Sequence, residues 1–414
     1  MINKIHKCRI CGNKRLVEVV DLGEHVLTGV FPRSNDIEIT HGPLRLLKCQ
    51  NSESDVTCGL LQLAHSYNLD ELYGDNYGYR SGLNKSMVDH LHLKIQRILS
   101  MVPLQKDDLI IDIGSNDSTT LQAYPAGEYQ LVGIDPTGIK FQEYYPEHIK
   151  LIPDFFSSRI VRENFGAQRA KIITAFSMFY DLEQPLKFMQ EVFDILADDG
   201  IWVFEQSYMP TMLETRSFDT ICQEHLEYYG LSQIKWMTDR IGFRIIDVEL
   251  NDINGGSFSV TVAKQNSPYS LANNLDELLQ QEHKKGLATL QPYREFAEQI
   301  RLVKDDLLKF LHKAKQDNKT VMGLGASTKG NVILQYCGIT EQDLPFIGDV
   351  NTDKFGCYTP GTMIPIVPES EVLEKNPDYL LVLPWHFKDF FLSCNHLRGR
   401  NLVFPLPKLE IVKV

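Results

Sequence analysis

The sequence predicts an α/β protein with three consecutive units: a cysteine-rich amino-terminal unit, a central unit on a mainly parallel sheet, and a second α/β unit at the carboxyl end. Three observations support this prediction. Two cysteine pairs lie before residue 60, the apolar run Leu109–Ile113 ends in a glycine turn, and a second glycine turn follows the apolar residues at 321–324. Buried strands that feed glycine turns are typical of open parallel sheets. We expect domains at residues 1–75, 76–265 and 266–414.

Composition narrows the class of protein. The 414 residues include 42 basic and 54 acidic side chains, a formal net charge of −12, which disfavours nucleic acid as a partner because phosphate binding needs a basic face. No apolar run reaches membrane-spanning length, and the start MINKIHKCRI lacks the apolar core of a signal peptide. We therefore expect no membrane partner and a cytoplasmic protein, a monomer or small homo-oligomer, whose eight cysteines are thiols or metal ligands.

The first unit contains a predicted zinc site. Cys8 and Cys11 form a CxxC pair in CRICG, and Cys49 and Cys58 form a second pair with eight residues between them. Four thiolates suit tetrahedral Zn(II), which fixes ligand geometry but not the length of the intervening loop. A closed four-thiolate site leaves no position for water, so we expect a structural zinc; four buried or free thiols are the alternative.

The segment ELYGDNYGYRSG, Glu71–Gly82, is rich in tyrosine and glycine and reads as a loop. Its composition favours a surface turn whose tyrosines cover the domain below. The alternative is that Tyr77 or Tyr79 reaches a polar ligand with its hydroxyl group.

The central unit shows alternating strand and helix patterns. Apolar residues recur at helical spacing from Leu83 to Val102, before the first strand. The predicted strands are Leu109–Ile113, Leu131–Ile134, Ile149–Ile152, Lys171–Ala175, Ile201–Glu205, Phe243–Glu249 and Ser257–Ala263. Helical patterns such as Pro185–Leu196 separate most of them, and the short NDINGG turn makes the last two an antiparallel pair. Five β/α units closed by a hairpin form the seven-stranded, Rossmann-like arrangement of class I methyltransferases, which use S-adenosylmethionine (SAM).

The first glycine turn, IDIGSND, predicts a cofactor site. Gly114, Ser115 and Asn116 follow a strand and precede a predicted helix, and Asp135 and Pro136 end the next strand. Gly114 allows close approach of the backbone to a ligand, and Asp135 can accept from both ribose hydroxyls. Because the second glycine of GxGxxG is absent, SAM is favoured over a dinucleotide. A turn that only tightens the strand–helix join is the alternative.

Side chains after the third and fifth strands complete this candidate site. Asp154, Phe155 and Phe156 suit an adenine, although both phenylalanines could equally be core. The long segment after the fifth strand carries Glu224 beside His225. Histidine is the side chain best able to take a proton near neutral pH, and a neighbouring carboxylate would orient it. An inert Glu–His pair on a helix surface is the alternative.

The carboxyl-terminal unit begins with charged, helix-forming residues at 266–314, which we expect to bridge two lobes. A second glycine turn, GLGASTKGN, then follows a strand, and its backbone amides, helix amino terminus and lysine suit a diphosphate. The candidate ligand-binding residues here are Ser327, Thr328, Lys329, Asn331 and Asp349. A dehydrogenase-like NAD site and a remnant of a duplicated fold are the alternatives.

Taken together, these motifs resemble the sugar C-methyltransferases that act on nucleotide-linked keto-deoxysugars. The resemblance spans essentially the whole chain and includes IDIGSND, SFDTICQEHLEYY, NGGSFSVTVAK and GLGASTKGN…TPGTMIPI. It implies a zinc-binding amino domain, a central SAM domain and a carboxyl-terminal Rossmann-like domain that contacts the nucleotide. It also implies that His225 is the catalytic histidine, with Glu224 beside it, and that Tyr79 is the active-site tyrosine.

The chain departs from the pattern of that family in four places. Ser118 stands where a glycine is common, and Cys222 stands where some members carry a tyrosine. Ser177, a candidate for the cofactor site, and Asp181 replace an asparagine and a histidine. The longer spacing to Cys58 is the fourth departure.

The resulting expectation is transfer of a methyl group to carbon 3 of an NDP-4-keto-6-deoxyhexose (dTDP, GDP or CDP) in unusual deoxysugar biosynthesis, such as that of lipopolysaccharides or antibiotics. His225, Glu224 and Tyr79 would be catalytic, and Tyr77 would join the second glycine turn in binding the substrate. An NAD-dependent nucleotide-sugar oxidoreductase and a zinc-stabilised scaffold without activity are the alternatives.

Overall fold

The structure is a computed structural model that describes residues 2–34, 36–50, 57–72 and 79–414. Tyr77 lies outside the described residues. The strands are β1 (Asn3–Lys4), β2 (Leu16–Val26), β3 (His41–Cys49), β4 (Leu61–Leu63), β5 (His65–Ser66), β6 (Leu109–Ile113), β7 (Gln130–Ile134), β8 (Ile149–Ile152), β9 (Ala170–Phe176), β10 (Leu196–Ser207), β11 (Glu227–Tyr228), β12 (Phe243–Asn251), β13 (Ser257–Lys264), β14 (Val321–Leu324), β15 (Ile347–Asp349), β16 (Ile366–Pro368), β17 (Tyr379–Val382), β18 (Asn401–Phe404) and β19 (Glu410–Lys413).

Helices alternate with these strands through most of the chain. The α-helices are α1 (Leu69–Leu72), α2 (Lys85–Met101), α3 (Ser158–Phe165), α4 (Pro185–Ile195), α5 (Met209–Thr215), α6 (Leu231–Ile241), α7 (Leu275–Lys284), α8 (Gln291–Gln316), α9 (Thr328–Cys337), α10 (Glu369–Glu374) and α11 (Lys388–Ser393). Short 3₁₀ turns lie at Ser81–Leu83, Leu121–Ala123, Gln142–Tyr144, Phe179–Asp181, Phe218–Thr220, Ile253–Gly255, Thr352–Lys354, Trp385–Phe387 and Asn395–Leu397.

The central sheet has the strand order β12-β13-β10-β9-β6-β7-β8. The strands from β8 to β10 run parallel, whereas β13 is antiparallel to both β10 and β12. This sheet confirms the predicted seven strands closed by a hairpin, although the β6–β7 and β7–β8 connections contain 3₁₀ turns in place of α-helices. It places the carboxyl ends of β6 and β9 side by side, which is the switch point where open α/β sheets bind ligands.

The helix predicted after Gly114 is wrong, because the chain there forms only the 3₁₀ turn Leu121–Ala123. The polar side chains before it bond locally instead of supporting a helix: the Thr119 hydroxyl donates to Asp117, and the Gln122 amide donates to the Ser118 hydroxyl. Short polar side chains commonly compete with helical hydrogen bonds in this way. The result is a compact, buried polar loop at the carboxyl end of β6.

The amino-terminal sheet is completed by a strand from the middle of the chain. Its order is β11-β4-β3-β2, all antiparallel, and Tyr228 of β11 pairs with Leu61 of β4. Strand β11 begins two residues after His225. The loop that carries the candidate base therefore continues directly into the sheet of the cysteine-rich domain.

The carboxyl-terminal sheet has the order β16-β15-β14-β17-β18-β19, parallel except for β19. This Rossmann-like sheet confirms the predicted second α/β unit. The helices α7 and α8 confirm the helical prediction for residues 266–314, and α8 is the longer at 26 residues.

Helix α8 joins the outer two domains. It buries one face at helical spacing, comprising Tyr293, Phe296, Ile300, Val303, Leu307, Leu311 and Ala314. These side chains belong to one apolar cluster with Val20 and Leu46 of the amino-terminal sheet and Leu324 of the carboxyl-terminal sheet. The amino- and carboxyl-terminal domains therefore share a core. Among the described residues, no helix combines the length and apolarity needed to span a membrane.

Truncation of this shared core should destabilise the protein. We expect Leu307→Ala, at a site with no exposed surface, to lower the free energy of unfolding by about 3 kcal/mol through lost burial and a residual cavity. Leu302→Ala on the same helix is the matched control, because Leu302 is 52% exposed. Chemical denaturation measures both, and equal effects of the two substitutions would contradict a core that depends on α8.

Candidate active site and zinc centre

The four predicted zinc ligands converge on one point. The Sγ atoms of Cys8, Cys11, Cys49 and Cys58 all lie within 4.8 Å of one another, with 3.4 Å between Cys8 and Cys58 and 3.6 Å between Cys11 and Cys49. Tetrahedral zinc with Zn–S bonds of about 2.3 Å requires sulfur separations of about 3.8 Å. The long spacing to Cys58 is accommodated by an antiparallel pairing, since the Cys49 amide donates to the Leu60 carbonyl across β3 and β4.

The surroundings of these sulfurs suit thiolates. The Asn13 amide donates to Cys49 Sγ over 3.3 Å, and the Lys48 ammonium lies next to the cluster, donating to the Gly59 carbonyl. Burial lowers the pKa of Lys48 to about 8, although the negative charges of Cys49, Cys58 and Cys8 act in the opposite direction. Hydrogen-bond donors and cations that surround the sulfurs stabilise the thiolates of such a zinc site.

The first glycine turn, called the cofactor turn below, comprises Gly114, Ser115 and Asn116. It is held by the carboxylate of Asp135 at the tip of the next strand. Gly114 has φ of +73°, a conformation that favours glycine. Asp135 is buried and accepts from the Asn116 amide with one oxygen, while its other oxygen accepts from the amide and hydroxyl of Thr137. A carboxylate offers about four acceptor sites, and three donors bond to Asp135 among the described residues, so one further site suits a ribose hydroxyl. Pro136 is half-buried beside it.

The tyrosine-rich segment is fastened to this turn. The Asn116 side chain accepts from the Ser81 amide and donates to the Tyr79 carbonyl, over 3.0 and 3.1 Å. The Ser115 hydroxyl is 2.8 Å from the Tyr145 hydroxyl. Tyr79 is 50% exposed as a residue, but its hydroxyl is buried: burial raises the pKa of Tyr79, and a hydrogen bond with Ser81 partly opposes that shift.

Of the candidate cofactor residues after β8 and β9, some are exposed and some pack into the core. Phe156 packs against Phe188 with ring centroids 5.1 Å apart, whereas Phe155 is half exposed and its amide donates to Asp154. Phe155 is therefore the more available of the two for an adenine ring. Ser177 has φ of +53°, and its amide donates to the Glu205 carbonyl.

His225 is oriented by a main-chain carbonyl. Its Nδ1 lies 2.8 Å from the Thr220 oxygen, which can only accept, so Nδ1 carries the hydrogen and Nε2 of the neutral ring keeps its lone pair. The ring lies 4.3 Å from the Tyr180 ring. Burial, followed by the positive charge of Lys329, lowers the pKa of His225 to about 4, and the bond to Thr220 partly opposes that shift. The resting imidazole is therefore neutral near pH 7.

Glu224 serves a different surface from His225. A methyl group added to Gly29 would lie 2.5 Å from Glu224 Oε1 and 3.7 Å from the Thr328 hydroxyl, so Glu224 sits where the amino- and carboxyl-terminal domains meet. Burial raises the pKa of Glu224, and a contact with Cys222 lowers it. Thr220 rather than Glu224 accepts from the His225 ring.

The second glycine turn repeats the geometry of the first. Gly325 has φ of +80°, and the Ala326 amide donates to Asp349 at the tip of β15 over 2.7 Å. The second oxygen of Asp349 accepts from the Asn351 amide, also over 2.7 Å. Ser327 caps helix α9 by accepting from the Gly330 amide.

Lys329 brings this turn into the region of His225. Its ammonium donates to the Asn254 carbonyl in the β12–β13 connection over 2.8 Å. Burial lowers the pKa of Lys329, while the negative charge of Asp219 raises it. The positive charge of Lys329 also lowers the pKa of His225, so this turn lies within electrostatic range of the predicted base.

Sequence patterns missed the residues that hold this site together. The Gln223 side chain accepts from the amide and hydroxyl of Thr28, both over 3.3 Å, and donates to the Val26 carbonyl. The Thr28 carbonyl in turn accepts from Asn331 over 2.7 Å. Thr28 thus links the base loop to the carboxyl-terminal domain, and the predicted ligand Asn331 uses its amide nitrogen for this link. No spacing or motif indicates these contacts.

Comparison with known proteins finds similarity to C-methyltransferases and their domains. Three family models match: a zinc binding domain at residues 8–73, a methyltransferase domain at 87–248 and a C-methyltransferase C-terminal domain at 252–407. The C-methyltransferase NovU of Streptomyces niveus is 27% identical over 418 residues, covering 100% of this chain and 98% of that protein. The three models together match most of the chain, which is therefore similar to C-methyltransferases from its zinc-binding domain to its carboxyl-terminal domain.

Solved structures also resemble parts of this C-methyltransferase. The CurJ carbon methyltransferase has a TM-score of 0.34 and 13% identity, covering 44% of this chain and 57% of that chain. The plantazolicin methyltransferase BamL has a TM-score of 0.35 and 12% identity, covering 44% and 91% respectively.

The C-methyltransferase therefore has a SAM-binding central domain and a zinc-binding amino-terminal domain. The chain fits SAM through the left-handed turn at Gly114, the open acceptor site of Asp135 and the half-exposed ring of Phe155. When bound, SAM supplies an activated methyl group on a sulfonium.

Loss of one thiolate should remove the zinc. We expect Cys11→Ser to lower bound zinc from about one ion per chain to a small fraction, and to lower the thermal midpoint, because a four-thiolate site loses a ligand. Cys394→Ser is the control, since Cys394 lies outside the cluster. Elemental analysis by mass spectrometry measures both, and full zinc retention in Cys11→Ser would contradict the assignment.

Proposed function

We propose that this SAM-dependent C-methyltransferase methylates carbon 3 of an NDP-4-keto-6-deoxyhexose. The observation that carries the proposal is the orientation of His225: Nδ1 is held by Thr220, and Nε2 has no hydrogen-bond partner among the described residues. The positive charge of Lys329, in the helix of the second glycine turn, acts on the same ring. A base next to an anion-binding turn suits a substrate with an acidic C–H and a diphosphate. Neither feature is needed by a methyltransferase whose acceptor is already nucleophilic.

The chemistry follows from the carbonyl group at carbon 4. This ketone acidifies the neighbouring C–H bond, and Nε2 of His225 takes that proton as a general base. Hydrogen-bond donors stabilise the enolate, and the hydroxyl group of Tyr79 is the proposed donor. The resulting carbanion is the nucleophile for the activated methyl group of the cofactor.

The substrate ligands come from two domains. Lys329, Ser327 and Thr328 would hold the diphosphate at the amino end of helix α9, and Asp349 would accept from the nucleotide ribose. Glu224, which lies near Thr328, would bind sugar hydroxyls. Because base and diphosphate ligands share one site, binding of the nucleotide positions the sugar at His225.

A panel of 4-keto-6-deoxy sugars linked to dTDP, GDP and CDP tests the substrate class. Incubation with SAM and detection of a methylated product by mass spectrometry should identify at least one acceptor. The position of the new methyl group follows from nuclear magnetic resonance of the product. Methylation of none of the panel, with SAM binding intact, would overturn the proposed substrate class.

Removal of the imidazole should abolish proton abstraction. We expect His225→Ala to fold and bind SAM but to lose about 10²- to 10⁴-fold in deuterium incorporation at carbon 3 from D₂O without SAM, and equally in methyl transfer. His283→Ala, at an exposed histidine of α7, should match wild type. Exchange in His225→Ala at the wild-type rate would exclude His225 as the base.

The electrostatic effect of Lys329 predicts a pH dependence. Because the base must be neutral, kcat/KM should fall as pH drops through about 4 in the free enzyme. A diphosphate bound at Lys329 offsets its positive charge and raises the pKa of His225, so the acid limb of kcat should lie at higher pH. Lys329→Met should move the acid limb of kcat/KM to higher pH. Lys354→Met, at a half-buried lysine bonded to the Ala326 carbonyl, should leave it in place. Acid limbs of kcat/KM at the same pH in wild type and Lys329→Met would contradict the electrostatic coupling between Lys329 and His225.

A further inference from the structure

A buried carboxylate links the base loop to the carboxyl-terminal domain. Asp219 lies in the 3₁₀ turn Phe218–Thr220 and is 1% exposed. One of its oxygens accepts from the indole nitrogen of Trp385 over 2.8 Å. The other oxygen has no hydrogen-bond partner among the described residues.

Burial of the Asp219 carboxylate among apolar side chains costs free energy of folding. Its neighbours Phe218 and Ile221 have no exposed surface, and burial raises the pKa of Asp219 while Lys329 opposes that shift. An apolar side chain would fill the same place without the cost of burying a charge. The hydrogen bond between Asp219 and Trp385 therefore indicates a role beyond packing.

The indole that bonds to Asp219 adjoins the proposed nucleotide site. Trp385 follows Pro384, and a methyl group added to Gly325 would lie 2.5 Å from Pro384, so Trp385 is adjacent to the residue packed on the second glycine turn. Lys329 lies in that turn's helix. The position of Asp219 thus depends on the position of the carboxyl-terminal domain, through the hydrogen bond to Trp385.

The other end of the same 3₁₀ turn holds the base. Thr220, the next residue after Asp219, provides the carbonyl that accepts from His225 Nδ1. A displacement of Asp219 therefore moves the acceptor that sets the orientation and tautomer of the imidazole. The connection from Trp385 to His225 comprises one hydrogen bond, one peptide step and a second hydrogen bond.

We propose that Asp219 is a positioning residue: through its bond to Trp385 it aligns the Thr220 carbonyl, and thereby His225, with the nucleotide-binding domain. The inference rests on the proposed function, in which His225 abstracts the proton. Asp219 does not touch the substrate; it acts through Thr220 and His225.

Substitutions at both ends of the bond test this role. Trp385→Phe removes the donor and keeps an aromatic ring, Asp219→Leu removes the acceptor, and Asp219→Asn keeps an acceptor oxygen. We expect the first two to slow SAM-independent deuterium exchange by roughly 10- to 100-fold, with SAM affinity and thermal midpoint near wild type, and Asp219→Asn to stay within about threefold. Trp236→Phe, at an indole outside this link, is the matched control.

The double variant separates positioning from packing. If the two residues act through one bond, Trp385→Phe should add little to the loss already caused by Asp219→Leu. Multiplicative losses, or exchange within twofold of wild type in Trp385→Phe, would overturn the proposal.

A second readout does not depend on the substrate. Diethyl pyrocarbonate modifies free imidazoles, and peptide mass spectrometry locates the product, so the rate at His225 reports how firmly its ring is held. We expect a severalfold faster reaction at His225 in Trp385→Phe and Asp219→Leu than in wild type, and an unchanged rate would overturn the link. If the wild-type protein incorporates deuterium into no sugar of the panel, the proposed function fails. The rate of His225 modification by diethyl pyrocarbonate still decides whether Asp219 positions His225.

Discussion

The hydrogen bond from His225 Nδ1 to the Thr220 carbonyl is the constraint on which the site depends, because it fixes both the tautomer and the direction of the free Nε2. A main-chain carbonyl is only as well placed as the loop that contains it. That loop is fastened from both outer domains: Gln223 bonds to Thr28, and Asp219 bonds to Trp385. The strand that follows adds to the zinc-binding domain's sheet. The zinc-binding domain thus supports the base loop through Thr28 and through the pairing of β11 with β4.

Two turns of similar geometry are proposed to bind different ligands. In each turn, a glycine with left-handed backbone follows a strand. A carboxylate at the tip of the neighbouring strand, Asp135 in the first turn and Asp349 in the second, accepts from a main-chain amide of that turn. The first turn continues into a polar loop, whereas the second opens helix α9 and carries Lys329. A helix amino terminus with a lysine favours an anion, and its absence from the first turn fits a cofactor without phosphate.

Sequence patterns predicted the parts of the fold where burial dictates the residue type. Leu109–Ile113 is a strand as predicted, because all five residues are buried between layers. The helix expected after Gly114 failed because the local bonds of Asp117 and Ser118 replace helical ones. Asp219 and Trp385 escaped prediction since they are 166 residues apart and their contact follows no periodicity. The candidate base was recognisable as a residue type, but its orientation by Thr220 depends on tertiary structure alone.

The tautomer of His225 most directly tests whether the three domains hold this residue as a ready base. Long-range proton–nitrogen correlation spectra of the full-length protein with ¹⁵N-labelled histidine, assigned by comparison with His225→Gln, report which ring nitrogen carries the hydrogen. We expect a neutral ring at neutral pH with hydrogen on Nδ1 and an unprotonated Nε2, which persists until the pH approaches about 4. Hydrogen on Nε2 of the neutral ring, or an imidazolium at neutral pH, would contradict that claim.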